Sequence, residues 1–182
     1  ETIIKDLNDR EKLNYLNSNI IDKRNMEDWR NYFKGILPPP IIFFILILIS
    51  FLAQGMFPVN LIFNNWYTRL FVSVPILVVS GWLAIDASLI LRKNKTAITY
   101  YKPTTKFIIE RSFRITRNPL YLSLLLVVVS LIVISNSFWY CVTLLLLFIF
   151  FDQFVVPREE RYLEKIFGED YIKYKNSVSR WV

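Results

Sequence analysis

Four long apolar blocks constrain this chain more than anything else in it: Pro38 to Phe57, Leu70 to Leu91, Leu120 to Ile134 and Phe138 to Val156. Each approaches the ~20 residues a helix needs to cross the hydrocarbon core of a bilayer, the third being the shortest. A soluble helix would interrupt such runs with polar residues every three or four positions, because one face meets water. Here Asp86 and Asp152 are the only formal charges inside the blocks, each near one end. Closed strand barrels also span lipid, but they need alternating segments of about ten residues, and none is seen. The expected fold class is therefore all-α: a polytopic membrane protein with four transmembrane helices, an amphipathic N-terminal segment and a C-terminal helix on the cytoplasmic side. The composition agrees, at 54% hydrophobic with a mean hydropathy of +0.35.

The charges predict the orientation. Of 22 Lys and Arg residues, seven precede the first block, eight lie between the second and third, and six follow the fourth. Only Arg69 falls on the other side. By the positive-inside rule both termini and the middle loop face the cytoplasm, or the matrix-equivalent side of an organelle membrane. The net charge of +7 is thus a membrane-surface signature, with the lipid bilayer as the expected partner and no nucleic acid. Cys141 is the single cysteine and reads as a packed or lipid-facing residue. There is no histidine, which removes the commonest general base and metal ligand, and no metal is expected.

Two regions follow. Residues 1–35 form a polar extension with seven basic and seven acidic side chains up to Lys34, and residues 36–182 form the membrane domain. Asn25, Trp29, Tyr32, Phe33 and Ile36 have the pattern of a capped amphipathic helix at the membrane interface or on a partner. The chain starts at Glu1, so a preceding segment is expected. Pro38, Pro39 and Pro40 start the first span, where missing donors cost least. Ser135, Asn136 and Ser137 leave room only for an antiparallel hairpin. After Pro157, the spacing of Glu160, Leu163, Glu164 and Phe167 predicts an amphipathic helix capped by Gly168.

Three inner-face features carry possible chemistry. Arg114, Arg117 and Asn118 open the third span, where two guanidiniums, an amide and a helix N-terminus favour anions, or where the charges merely anchor the span. Arg158-Glu159-Glu160-Arg161 follows the fourth span; its carboxylates suit an ammonium or ribose hydroxyls, or serve as first-turn acids. Asp86 and Asp152 either snorkel or pair with a nearby arginine, and intramembrane acids are functional candidates.

In this order the parts resemble the isoprenylcysteine carboxyl methyltransferase and phospholipid methyltransferase family of membrane enzymes. That family's hallmark is Arg-His-Pro-x-Tyr-x-Gly, a hydrophobic hairpin, then Glu-Glu. Here it reads Arg117-Asn118-Pro119-Leu120-Tyr121-Leu122-Ser123, then the third and fourth spans, then Glu159-Glu160. The ending through Phe167-Gly168, Tyr171, Tyr174, Val178 and Arg180-Trp181 follows the family's closing pattern. Many prokaryotic-type members also share the triple proline and an Asn at the histidine position. The resemblance covers about residues 36 to 182.

What the resemblance implies is methyl transfer from S-adenosylmethionine to a lipid-borne or small hydrophobic acceptor. Arg117, Asn118, Tyr121, Glu159 and Glu160 would hold the cofactor. Arg114 and Arg180 would be the catalytic residues that orient an anionic acceptor. Three family glycines are replaced: the Gly-Thr-Thr loop start reads Lys95-Thr96-Ala97, Gly-Pro-Tyr-Arg reads Arg111-Ser112-Phe113-Arg114, and the hallmark's last glycine is Ser123. Glycine serves where backbone approaches a ligand or takes positive φ, so these losses bear on activity. The alternative reading is a catalytically inactive, methyltransferase-like structural or assembly subunit, with other membrane subunits as partners.

Overall fold

The computed structural model describes residues 37–62, 65–94 and 108–182, together with Glu27 and Gly35. Apart from Glu27 and Gly35, the N-terminal extension and the amphipathic helix expected over Asn25–Ile36 lie outside the described residues, as does the Lys95-Thr96-Ala97 loop start. Among those residues the protein is all-helical, with no strand beyond an isolated antiparallel bridge between Asn60 and Ser137.

Helix α1 spans Pro39–Met56. Pro39 sits in its first turn, where a fixed φ suits the helix and no intrahelical donor is lost. Helix α2 spans Trp66–Lys93; Asn65 caps it by accepting from the Tyr67 amide at 2.9 Å, and Arg92 and Lys93 close it where cations meet the negative end of the dipole. A single turn, α3, covers Ser112–Ile115, and α4 runs Pro119–Ser135. Helix α5 (Trp139–Ile149) passes without a break through a π-helical segment, Phe150–Val155, into α6 (Val156–Phe167). Helix α7 (Glu169–Ser177) follows.

Three of these helices are long and apolar enough to cross a membrane: α1, α2 and the continuous helix Trp139–Phe167. Helix α4 is apolar too, but its 17 residues fall short of that length. Large apolar side chains stand exposed along all the long helices, among them Phe71 (82% exposed), Phe44 and Phe51 (66% each). A water-soluble protein rarely tolerates so continuous an apolar surface, whereas lipid solvates it.

Packing between α2 and α4 rests on small residues. Ser80 Oγ donates to the Ser123 carbonyl at 2.8 Å, and Ser130 Oγ donates to the Ser73 carbonyl at 3.0 Å. The two pairs run in opposite directions at the same spacing, so they fix an antiparallel register. Hydroxyls of this kind let apolar helices approach closely and find partners inside lipid. Between α1 and α5, Ser50 and Thr143 share a hydrogen bond, and Ser50 also donates to the Trp139 carbonyl at 3.0 Å. Phe43, Leu125, Val128, Tyr140, Leu147, Phe151 and Val155 form the apolar core.

The α4–α5 turn is the expected hairpin. Asn136 takes the left-handed conformation (φ 55°, ψ 35°), which asparagine tolerates better than most residues. Its carbonyl accepts from the Leu61 amide at 2.9 Å, and the Phe138 amide donates to the Val59 carbonyl at 3.0 Å. At this end, Trp139 Nε1 also donates to the Phe57 carbonyl at 2.8 Å.

One expectation is revised. The sequence places a boundary near Val156 with a separate helix after Pro157, yet the helix continues to Phe167. A proline inside a regular α-helix loses a donor and clashes with the carbonyl four residues earlier, here that of Gln153. The π turn lies immediately before Pro157, and its wider geometry accommodates the ring without ending the helix.

Candidate functional site

The site lies at the end of the bundle where α4 begins and α6 continues beyond the apolar stretch. It is built from three segments distant in sequence: Thr116–Tyr121, Asp152–Glu164 and Tyr171–Trp181. Glu160 is the hub and is only 4% exposed. Arg117 Nη1 stands 2.8 Å from its Oε1. Arg180 grips the same carboxylate with two nitrogens, Nε to Oε1 at 3.1 Å and Nη2 to Oε2 at 2.9 Å. Lys175 lies 3.7 Å from Oε2 and 2.6 Å from Glu164. A carboxylate this deep is tolerable only because cations and hydrogen bonds surround it.

The third guanidinium nitrogen of Arg180 reaches Asp152 Oδ1 at 3.0 Å, and Trp181 Nε1 donates to the same oxygen at 2.9 Å. Asp152 belongs to the π-helical segment, a kind of distortion that recurs at functional sites. Beside this network the Tyr121 hydroxyl donates to Glu159 Oε1 at 2.5 Å, with the Tyr121 ring against Phe151.

The electrostatics follow from these contacts. Glu160, hydrogen-bonded to Arg180, raises that guanidinium above its ordinary pKa, and Asp152 adds to the effect. Burial raises the Tyr171 phenol well above its usual value, with the Glu160 charge adding to it, and burial does the same for Tyr174. Both phenols therefore remain neutral donors across physiological pH. The Tyr174 hydroxyl donates to the Phe113 carbonyl at 2.6 Å, docking α7 on α3.

The residues singled out by the sequence divide into four groups. Arg117, Glu160 and Arg180 converge on one ion-paired cluster. Tyr121 and Glu159 form a pair of their own beside it. Asn118 is buried and gives its side-chain amide to the Arg180 carbonyl at 3.0 Å. Arg114 stands apart: it is exposed, and among the described residues its Nε reaches only the Ile109 carbonyl, at 3.4 Å.

Asp152, weighed in the sequence as an acid that snorkels, pairs with a nearby arginine or serves function, pairs with Arg180 and is central to the arrangement. Thr116, Lys175 and Trp181 also contribute without having been singled out. The one signal for Asp152 was an acid within an apolar run. Trp181 and Lys175 sit in a tail whose amphipathic pattern says nothing of which carboxylate they meet.

The replaced glycines take different places. Ser123 lies within α4 against α2, so a small residue there serves helix packing. Arg111 has φ 51° and ψ −116°, a conformation that strongly favours glycine. Its guanidinium lies 2.7 Å from Asp86, whose other oxygen accepts from the Ser112 amide at 3.1 Å. The expected tight turn is thus present, and the long cation has found a partner.

Comparison with known proteins places this architecture. The family model for phospholipid methyltransferase matches residues 68–170, which include most of α2, all of α4, the π-helical segment and both glutamates of the site. An uncharacterized protein of Haemophilus influenzae (strain ATCC 51907 / DSM 11121 / KW20 / Rd) is 43% identical over 65 residues, which are 35% of this chain and 100% of that protein. No solved structure matches the chain. With the family model spanning more than half the chain, this integral membrane protein belongs to the phospholipid methyltransferase family.

Proposed function

We propose that this chain is a membrane-embedded, S-adenosylmethionine-dependent methyltransferase acting on a lipid-borne or small hydrophobic acceptor. The observation that carries the reading is the meeting of Arg117 with Glu160 beside the Tyr121–Glu159 pair, four residues of two motifs about 40 positions apart. The donor set fits the cofactor. A guanidinium suits its carboxylate, and two adjacent glutamates suit its ammonium and ribose hydroxyls. When bound, the cofactor supplies a methyl group on a positively charged sulfur, open to direct displacement.

The protein's part in such a transfer is placement and exclusion of water. Glu160 is held by Arg117, Arg180 and Lys175, so its carboxylate is oriented before any ligand arrives. Glu159 holds the Tyr121 hydroxyl, which a ligand donor would replace. Arg180 is committed to Glu160 and Asp152, so it acts within the network, while exposed Arg114 remains for an anionic acceptor at the membrane surface. In this reading α4 crosses the membrane with the three longer helices. Both termini face the cytoplasmic or matrix-equivalent side, and the acceptor enters laterally from the bilayer. The one-sided placement of Lys and Arg supports that orientation.

The test is cofactor binding in detergent micelles. S-adenosylhomocysteine is expected to raise the unfolding temperature in a concentration-dependent way. Glu159→Gln, which leaves the Glu160 ion pairs in place, is expected to remove most of that rise. No shift with the parent chain at millimolar ligand would refute the enzyme reading and leave the structural-subunit alternative.

A further inference from the structure

The hydrogen bonds around the last residues of the chain carry a second conclusion, which rests on the methyltransferase reading only for its ligand. The Arg180 carbonyl accepts from two side chains at once, Thr116 Oγ1 at 2.9 Å and Asn118 Nδ2 at 3.0 Å. One residue earlier, the Ser179 carbonyl accepts from the Arg117 amide at 3.0 Å. Thr116 Oγ1 in turn accepts from the Asn118 amide at 3.2 Å. The backbone of the tail is therefore bound along the segment that opens α4, much as an added strand would be. The side chains of the same tail point the other way, Arg180 to Glu160 and Asp152, and Trp181 to Asp152.

We infer that the tail from Val178 to Trp181 is a structural wall of the site, and that Asn118 is a positioning residue which acts by fastening that wall. Asn118 directs a side-chain N–H to the Arg180 carbonyl, so its influence on a ligand passes through Arg180 and Glu160. The chemistry required at position 118 is then a hydrogen-bond donor of moderate reach. Asparagine supplies it from an amide, and a histidine, the residue of the family hallmark, supplies it from a ring nitrogen. An ionised aspartate has the shape of asparagine but only acceptors, and would set a negative oxygen against the Arg180 carbonyl.

The experiment compares Asn118→Asp and Asn118→His with the parent in detergent micelles at pH 8, where an aspartate is ionised. Exchange of the Arg117 amide, followed by hydrogen–deuterium mass spectrometry without ligand, reports the tail directly, because Ser179 is its acceptor. S-adenosylhomocysteine affinity is measured alongside. Asn118→Asp is expected to speed the exchange and weaken binding, each by about tenfold. Asn118→His is expected to keep both within about threefold of the parent. If Asn118→Asp is too unstable to study, Thr116→Val removes one of the two donors and should speed the exchange by about threefold.

Binding lost in Asn118→Asp with Arg117 exchange unchanged would overturn the inference, since Asn118 would then touch the ligand itself. Exchange raised equally in Asn118→His would also overturn it. If the parent binds no S-adenosylhomocysteine, the enzyme reading falls, and the exchange rates alone still decide the role of the tail.

Discussion

Two turns in this protein share nearly the same unusual backbone, and only one of them has a glycine. At Gly168, between α6 and α7, φ is 55° and ψ −130°; at Arg111, leading into α3, φ is 51° and ψ −116°. A β-carbon at Gly168 would meet nothing within 4 Å, so glycine is there for torsion alone. Arg111 adopts the same conformation with a full side chain, and buried Asp86 holds both its guanidinium and the next amide. A family glycine has been lost, but the turn it makes has been kept by other means. Erosion of a motif in sequence is therefore a poor measure of erosion in structure.

The contrast can be tested by unfolding measurements in one fixed detergent. The largest effect is expected from Asp86→Ala, which leaves the Ser112 amide without its charged acceptor and Arg111 without its partner. A loss of about 2–3 kcal/mol is expected, and a loss near zero would mean that the turn holds itself. Next is Gly168→Ala, expected to cost about 1–2 kcal/mol through torsion. An unchanged midpoint there would show that the region tolerates side chains generally, and the comparison would lose its point.

Ser123→Gly should cost about 0.5–1 kcal/mol, because position 123 is interior helix and glycine loses more entropy there. The smallest effect belongs to Arg111→Gly. Relief of torsion (about 1–3 kcal/mol) is opposed by loss of an ion pair exposed on its arginine side and by added unfolded-chain freedom (each about 1 kcal/mol or less), leaving a gain of about 0.5 kcal/mol. Restoring glycine is thus expected to have opposite signs at 111 and 123. Matching signs would contradict the account given for one of them.

Much of the fold was legible because lipid imposes length and apolarity at once. The blocks 38–57 and 120–134 agree with α1 and α4 to within a residue or so at each end. Helix α2 begins earlier than its apolar block, at Trp66, because the Asn65 cap and not hydropathy sets its start. The passage through Pro157 was not legible, since π and α turns draw on the same residues. In the site, the resemblance to the family's hallmark brought out Arg117, Asn118, Tyr121, Glu159 and Glu160 together. The bond between Asp152 and Arg180 spans 28 residues and depends on the π turn, and the acceptor for Asn118 is a backbone carbonyl. Neither leaves a mark in the identity of the residues.

The π-helical segment has a consequence for how this chain tolerates change in length. Each residue of an α-helix turns the following face by about 100°. A wide turn holds an additional residue, so it sets the angular phase of everything after it. Deleting one residue within Phe150–Val155 would remove that additional residue and leave the faces on either side nearly in phase, whereas a deletion in the regular turns that follow would turn Glu160 away from Arg117 by about 100°. The spacing between Val156 and Glu160 is therefore as much a part of the site as the side chains, and relatives that keep the residues but alter that count would need a compensating distortion elsewhere in that helix.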